Sequence, residues 1–402
     1  MNTLLLLGIV LGVAVLGEGL ARVTRLPRVT GYVILGVVFG RSLMGVFDSA
    51  FITHTAIVNE LALAAMAFAI GSELKGELFK KMGRSIAFIV LGEAFLAFTF
   101  VTLGMYLMHP DKLYQALVLG AVASATAPAA TVAVLSQYKA RGPLTSTILA
   151  VVGIDDAISL IIFAFATTIA KTILGGAHLS MGELALKPLI EVFGAVAVGI
   201  GVGWLFKLLF GRVRHPDELL IRLGASLFVI LGITTQLGFS ELLAIMAYGA
   251  FMANTDPMMS HRSLNIINTL APLFFAMFFI LAGARLDISL LPVVGLMGLV
   301  YTLLRMTGKF TGGTLGALIG KAPAVVKKYV GMGLVPQVGV AVALAILVDR
   351  SFGSGAYGEA GKNLASVVIN ILLFTTIITE VVGPILTRFA ITQAGERHDN
   401  ET

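Results

Sequence analysis

The sequence contains no cysteine among its 402 residues, and charged residues make up only 12% of it. The absence of cysteine excludes disulfides, iron–sulfur clusters and thiol chemistry. Soluble domains carry roughly 25% charged residues, whereas this chain is 57% hydrophobic. A long polar stretch is also missing, because the longest is the tail over residues 391–402. These absences exclude a soluble globular protein.

Long apolar runs dominate the chain, whose mean hydropathy is +0.96. The runs are about 15 to 28 residues long, which is the length of membrane-spanning helices. They lack the period-two alternation of an outer-membrane barrel. We therefore predict an all-α polytopic membrane protein with about thirteen transmembrane helices. The predicted spans are 4–21, 30–46, 56–71, 86–107, 115–135, 145–170, 186–210, 219–235, 239–254, 265–283, 290–319, 324–348 and 363–390.

The basic residues lie between the apolar runs, so the net charge of +6 does not indicate a nucleic-acid partner. About 19 of them fall in one set of alternate loops and about 7 in the other, and two remain inside a span. The positive-inside rule then predicts an inner (plasma) membrane protein with its N-terminus outside and its C-terminus cytoplasmic. The six histidines lie in predicted loops without ligand spacing, so we expect no resident metal and no other cofactor.

A weak internal repeat relates the two halves of the chain. GYVILGVVFGRS resembles AIMAYGAFMANT and aligns Gly36 with Gly249 at a separation of 213 residues. FAIGSELKGELF resembles FILAGARLDISLL and aligns Gly71 with Gly283 at a separation of 212. The repeat predicts six spans in 1–170, a connector helix at 186–210, six spans in 219–390, and a short cytoplasmic tail at 391–402. Seven spans separate equivalent helices, so the second half is inverted, as in many secondary transporters. The alternative is chance similarity between short apolar segments.

Helix breakers occur at matched positions of these two halves. The fifth span carries Thr126 and Pro128 near its middle, and the twelfth carries Pro336 and Gly339. Proline removes a backbone donor and obstructs the preceding turn. In a bilayer the freed backbone groups are tolerated only where protein, water or an ion satisfies them. Matched breaks therefore predict a transporter's binding site, and two ordinary proline kinks are the alternative.

Four charged residues lie near the middle of their spans, where a charge costs at least about 2.5–3.5 kcal/mol. Asp155 and Asp156 are adjacent in the sixth span, and Arg305 and Lys309 lie four residues apart in the eleventh. A buried ion pair kept for assembly would need only one aspartate. The second, without a fixed partner, can bind a proton and a metal cation in turn. Glu93 is a secondary candidate, as is Arg305, because the two align at the repeat separation of 212.

The eleventh span also carries a ladder of glycines at every fourth position. Its members are Gly308, Gly312, Gly316 and Gly320. Residues four apart share one helix face, and a glycine face allows very close packing of a second helix. We therefore expect a neighbouring helix to approach Lys309 closely.

At these residues the chain resembles the monovalent cation:proton antiporter superfamily, and in particular its electrogenic NapA- and NhaA-like branch. The resemblance extends over essentially the whole chain. GYVILGVVFGRS, GSELKGELFKKMG and GARLDISLL are similar to conserved segments of the family, and GIDDAISLIIF is similar to its paired-acid motif. TAP in the fifth span and PQVG in the twelfth depart from the TDP and PRGE of many relatives. The resemblance implies the NhaA-like fold, in which the two broken helices cross.

The resemblance also implies a function and roles for the residues. Asp156 would bind Na⁺, Asp155 would pair with Lys309, and Thr126 would contribute to the ion site. We expect a sodium (or lithium)/proton antiporter that works by alternating access, as a homodimer and without enzymatic chemistry. Two acids imply two protons per sodium, so transport would be electrogenic. A core of spans 3 to 6 and 10 to 13 would move against a scaffold that includes spans 1, 2, 8 and 9.

Three other functions remain open from the sequence. A potassium/proton antiporter of the same fold would use the same residues. A cation channel, from a different class, would need a continuous pore, whereas crossed broken helices favour a site that opens to one side at a time. An organic-anion symporter can share the fold, but aspartates at mid-membrane depth suit a cation better.

Overall fold

The computed structural model describes residues 3–24, 28–40, 42–47, 51–52, 55–76, 83–175, 181–210, 215–286 and 288–398. Within these ranges the chain is helical and contains no β-strand, and one isolated bridge pairs Gly40 with Phe47. The all-α prediction is therefore confirmed for the described part of the chain. The last four residues of the predicted tail lie outside it.

The described part of the first half of the chain contains seven of the chain's helices, each of which overlaps one of the predicted apolar runs. They are α1 (Thr3–Thr24), α2 (Arg28–Phe39), α3 (Ala56–Glu73), α4 (Arg84–Met108), α5 (Leu113–Ser124), α6 (Pro128–Gln137) and α7 (Pro143–Leu174). The connector predicted at 186–210 lies within α8 (Met181–Phe210).

The second half forms the remaining helices. They are α9 (Pro216–Leu237), α10 (Glu241–Thr255), α11 (Pro257–Ala284), α12 (Leu291–Ile319), α13 (Ala324–Tyr329), α14 (Gly339–Phe352) and α15 (Gly358–Gln393). Short 3₁₀ helices at Ile288–Leu290 and Val330–Leu334 precede α12 and follow α13.

Six of the described helices are long and apolar enough to cross a bilayer, and the number is eight if each of two bent pairs is one span. Several others are short because the chain breaks or turns: α2 and α5 have 12 residues each and α10 has 15. The count of about thirteen spans therefore stays a prediction.

Two helices are interrupted where the sequence places its breakers. α5 ends at Ser124 and α6 begins at Pro128, because proline is accepted at the first position of a helix but not in its interior. In the second half the 3₁₀ helix ends at Leu334 and α14 begins at Gly339, with a bend of 45° between the two parts. The breaks at these two sites are confirmed.

The two unwound segments touch each other. The backbone N–H of Ala127 donates to Pro336 O at 2.8 Å, and Thr131 Oγ1 donates to Gly333 O at 2.8 Å. Backbone groups freed by one break are thus satisfied by the other. This contact brings the middle of the fifth span to the middle of the twelfth.

The glycine ladder lies against α4, as the sequence predicts. A Cβ on Gly308 would lie 2.6 Å from Ala97 Cα, and one on Gly316 would lie 2.6 Å from Ile89 Cα. Real Cβ atoms do not approach other atoms this closely, so only glycine permits this helix spacing. The close packing holds Glu93 on α4 next to Lys309 on α12.

A second set of glycines joins α2 to α11 and α3 to α10. A Cβ on Gly36 would lie 3.0 Å from Ile280 Cα in α11, and one on Gly283 would lie 3.1 Å from Gly36 Cα. Between the other two helices, a Cβ on Gly249 would lie 2.6 Å from Phe68 O, and Gly71 faces the backbone of Met246. The glycines that the repeat aligns therefore make corresponding contacts. This agreement supports the repeat, whose inversion stays a prediction.

We predict that Gly312→Ala destabilises the protein by about 1–3 kcal/mol, which is the usual cost of overpacking. A Cβ at this position would lie 2.6 Å from Glu93 Cα, in rigid backbone. Gly295→Ala is the matched control on the same helix, because nothing lies within 4 Å of its Cβ position. The melting temperatures of both purified variants are measured by thermal unfolding in detergent. Equal melting temperatures for the two variants would contradict the close contact.

Candidate ion-binding site

The site begins at the C-terminal end of α5, where the helix break leaves backbone carbonyls without partners. The last four carbonyls of a helix have no intrahelical donor. In this chain side chains of α5, of α12 and of the segment before α14 donate to these four carbonyls and to that of Ala125, the residue after the helix. Ala121 O accepts from Ser124 Oγ at 2.6 Å, Val122 O from Gln337 Nε2 at 3.0 Å, Ala123 O from Arg305 Nε at 3.0 Å, Ser124 O from Lys309 Nζ, and Ala125 O from Arg305 Nη2 at 2.7 Å. The broken end is therefore stabilised by protein groups.

Arg305 connects the two broken helices. Its guanidinium is fully buried, and besides its two bonds to the α5 end it donates from Nη1 to Val335 O at 2.6 Å. A planar guanidinium presents several donors in a fixed geometry, so it can hold carbonyls from two segments at once. From the sequence, Arg305 is a secondary candidate for the ion site. In the structure its three side-chain nitrogens donate to backbone carbonyls.

Gln337 adds a further link at the crossing. Its Nε2 donates to Val122 O at 3.0 Å and to Tyr301 Oη at 2.9 Å, and all three residues are buried. No role for Gln337 or Tyr301 follows from the sequence. The available signal is the position of Gln337 immediately after the breaking proline, Pro336.

Lys309 lies at the centre of a buried polar cluster. Its ammonium donates to Glu93 Oε2, to Thr126 Oγ1 at 2.8 Å and to Asp155 Oδ2 at 3.3 Å, besides Ser124 O. Both carboxylates and the ammonium are fully inaccessible to solvent. The expected contact between Lys309 and Asp155 is therefore present, but Asp155 is the more distant of two carboxylates. We expected a simple pair of Asp155 and Lys309, but the structure has a cluster of three charged groups that also includes Glu93.

Asp156 has a different environment although it follows Asp155 directly. Successive residues of a helix point about 100° apart, so the two side chains leave α7 in different directions. Asp156 is 6% exposed, and its Oδ1 is buried without a hydrogen-bond partner in the described part of the chain. The charged groups that act on it electrostatically are Asp155, Lys309 and Glu73. A carboxylate with no fixed donor is free to accept a proton or a cation.

Glu73 is a further acid near Asp156 that sequence reasoning missed. It ends α3, is exposed, and its Oε2 lies 4.0 Å from the position of a Cβ on Gly153. Gly153 precedes Asp156 by three residues and so lies on the same face of α7. The carboxylate of Glu73 therefore lies near the face of α7 that carries Asp156. The signal in the sequence is its place in the FAIGSELKGELF segment, which the repeat had already marked.

Four other acids within or next to the apolar runs have polar partners on neighbouring helices or turns. Glu18 pairs with Arg28 at 3.3 Å, Glu191 with Lys171 at 3.7 Å, Glu241 with Arg350 at 2.9 Å, and Glu380 accepts from Thr30 Oγ1 at 3.2 Å. Among the described residues no group of three or more His, Asp or Glu side chains is arranged to hold a metal ion.

A polytopic helical fold in which two broken helices meet beside buried acids is typical of secondary ion transporters. The model of the family described as sodium/hydrogen exchanger, transmembrane, matches residues 6–390. The chain belongs to this family, and the resemblance seen in its motifs to the monovalent cation:proton antiporter superfamily is confirmed. It is a multi-pass membrane protein, and its family is one of secondary transporters and not of enzymes.

Two curated relatives cover most of the chain. The chain is 23% identical over 354 residues to a Na⁺/H⁺ antiporter of Enterococcus hirae, and the match covers 86% of this chain and 89% of that protein. It is 23% identical over 335 residues to the high-affinity Na⁺/H⁺ antiporter NhaS3 of Synechocystis, covering 79% of this chain and 68% of that one.

A solved structure shows the same fold. The sodium proton antiporter MjNhaP1 of Methanocaldococcus jannaschii at pH 8 superposes with a TM-score of 0.79, at 18% identity, over 98% of this chain and 99% of that one.

We predict that Lys309→Ala destabilises the protein by about 3–5 kcal/mol, because removing one member of a buried ion pair leaves uncompensated charge. Lys362→Ala is the control and has little effect, since Lys362 pairs with Glu359 at the surface. The sequence alone predicts that Asp155→Asn with Lys309→Gln restores stability. The structure changes this expectation, because Glu93 stays buried and unpaired in that variant. Chemical unfolding that shows full recovery would exclude Glu93 as a partner.

Proposed function

We propose that the chain is a sodium (or lithium)/proton antiporter that works by alternating access. The observation that carries the proposal is Asp156, a buried carboxylate without a hydrogen-bond donor beside the crossing of two broken helices. The named activities of the Enterococcus and Synechocystis relatives support the choice of ions.

Exchange follows from competition for one carboxylate. Ionised Asp156 attracts a small hard cation, which prefers oxygen ligands. Unwound carbonyls and hydroxyls such as that of Thr126 lie at the same crossing and supply such oxygens. When the cation leaves, an uncompensated charge would remain at mid-membrane depth, so a proton takes its place. Movement of the empty, charged site is unfavourable, and this couples the two ions.

A second acid makes the exchange electrogenic. Asp155 lies at 3.3 Å from Lys309, which already has Glu93 and two neutral oxygens as partners. Asp155 can therefore take up and release a proton while the ammonium stays solvated by the cluster. Two protons then exchange for one cation, and one net charge moves in each cycle.

The helix contacts support a division into a moving part and a fixed part. Glycines lock α3 onto α10 and α11 onto α2 backbone to backbone. We therefore place α3 and α11 in the scaffold, where the sequence alone placed spans 3 and 10 in the core. The core comprises α4–α7 and α12–α15. Arg350 on α14 pairs with Glu60 on α3 at 3.1 Å and with Glu241 on α10 at 2.9 Å, so these bonds lie across the sliding boundary.

We further propose that the chain forms a homodimer, that its two halves are an inverted repeat, and that its C-terminus is cytoplasmic. A potassium/proton antiporter remains the alternative with the same fold. A cation channel is not favoured, because Asp156 is almost fully buried and the described residues at the crossing are joined by direct hydrogen bonds.

We predict that Asp156→Asn abolishes exchange without loss of folding, because an amide can neither carry the proton nor supply a full counter-charge. The measurement is dequenching of a pH-sensitive dye in proteoliposomes as Na⁺, Li⁺ and K⁺ are added in turn, with the melting temperature as the folding check. Glu359→Gln, at a surface position, is the control and retains exchange. Normal sodium-driven proton flux in Asp156→Asn would remove this residue from the mechanism, and a response to K⁺ alone would favour the potassium alternative.

We predict that a membrane potential imposed without a pH gradient drives sodium movement through the wild-type protein. Collapse of the potential with valinomycin and potassium should accelerate proton-driven exchange, because accumulated charge no longer opposes the cycle. The matched variant is Asp155→Asn, in which the response to potential disappears if Asp155 carries the second proton. Rates that are indifferent to potential in the wild type would make Asp155 a static partner and leave one-for-one exchange at Asp156.

A further inference from the structure

Glu93 is a buried carboxylate to which the exchange cycle gives no task. It lies in the middle of α4, has no exposed surface, and its Oε2 accepts from Lys309 Nζ. An acid at this depth is costly unless it does something that a neutral residue cannot. An amide could also accept a hydrogen bond from Lys309, but a weaker one, so what distinguishes Glu93 from a neutral residue is its charge.

The charges within the crossing show what Glu93 contributes. Arg305 is needed at the crossing because its guanidinium holds carbonyls of both broken helices. Arg305 and Lys309 together would cancel the two aspartates, Asp155 and Asp156. A site with zero net charge would become positive when it bound a cation, which is unfavourable in a buried position. With Glu93 included, the five charges buried at the crossing sum to minus one, and cation binding neutralises them. Glu73, exposed at the end of α3, lies outside this buried group.

We propose that Glu93 is the fixed counter-charge of the site, a positioning residue that keeps Lys309 charged and in place so that Asp156 can bind a cation. The inference rests on the proposed antiport function and adds to it the residue that sets the affinity for the cation. Glu93 is assigned no exchangeable proton and no direct contact with the transported ion.

The packing around Glu93 supports a fixed role. The glycine ladder holds α12 against α4, so the backbones that carry Lys309 and Glu93 are in direct contact at Gly312. Asp155 approaches the ammonium from a third helix, α7, and at the longer distance of 3.3 Å. The Glu93–Lys309 pair can therefore remain intact while the environment of Asp155 and Asp156 changes through the cycle.

The test is the sodium dependence of exchange in Glu93→Gln at a fixed alkaline pH. Loss of one negative charge from the cluster weakens cation binding, and we expect an effect of roughly tenfold, which is the order that one unit charge exerts through an effective dielectric constant of about 20. We expect the KM for Na⁺ to rise by about this factor while kcat changes less. Glu93→Asp is the matched control, because it keeps the charge, and its KM should stay near that of the wild type.

A charge-restoring variant separates charge from structure. Glu93→Gln combined with Lys309→Gln removes one negative and one positive charge, so the net charge of the site returns to minus one. We expect the KM for Na⁺ of this double variant to be lower than that of Glu93→Gln alone. A residue needed only for packing would give the opposite order, since two changes disturb the cluster more than one.

Two results would overturn the inference. One is a KM for Na⁺ in Glu93→Gln equal to that of the wild type, with only kcat or protein yield reduced. The other is a double variant whose KM is raised as much as that of the single variant or more. If Glu93→Gln alone does not fold, the KM of the double variant is compared with that of the wild type, and a rise of about tenfold would overturn the inference. Failure of the proposed function is a separate outcome, because the wild-type protein itself would then show no sodium-driven proton movement.

Discussion

The structure depends on one constraint: backbone carbonyls released by two helix breaks must find donors inside a membrane. α12 supplies three donors to the end of α5 and one to the second break. Arg305 bonds to carbonyls of both broken helices, and Lys309, one turn further, takes the next carbonyl at the end of α5. An unsatisfied backbone group in hydrocarbon costs several kcal/mol, so these two cations stabilise the place where the broken helices meet. The binding site and the stability of the fold therefore rely on the same side chains.

The two cations in turn determine how many acids the site needs. Each positive charge that satisfies the broken helices cancels one carboxylate, so a site that attracts a cation must hold one acid more than it holds bases. Glu93, Asp155 and Asp156 meet that condition against Arg305 and Lys309. The three carboxylates differ in their contacts, because Glu93 and Asp155 contact the Lys309 ammonium while Asp156 has no hydrogen-bond donor among the described residues. In the proposed mechanism, charge balance thus links helix capping to ion exchange.

Much of this arrangement could be predicted from the sequence, for identifiable reasons. Breaks at Pro128 and Pro336 follow from the missing N–H of proline, and the close face of α12 follows from glycines at every fourth position. What the sequence could not supply was the identity of the partners. Glu93 and Lys309 are 216 residues apart, and only the contact of α4 with α12 brings them together. The same holds for Gln337, whose partners lie on the fifth and eleventh spans.

The sequence by itself determined the class of the molecule, its membrane setting, the paired acids and the positions of the breaks. These depend on local composition and on spacing within single helices, which are visible in one dimension. Only the tertiary structure decided which carboxylate Lys309 contacts most closely, which backbone groups Arg305 satisfies, and why Asp155 and Asp156 differ. The reason is physical: a charge within a bilayer takes whichever partner helix packing places within reach. That packing is set by contacts between residues that lie far apart along the chain.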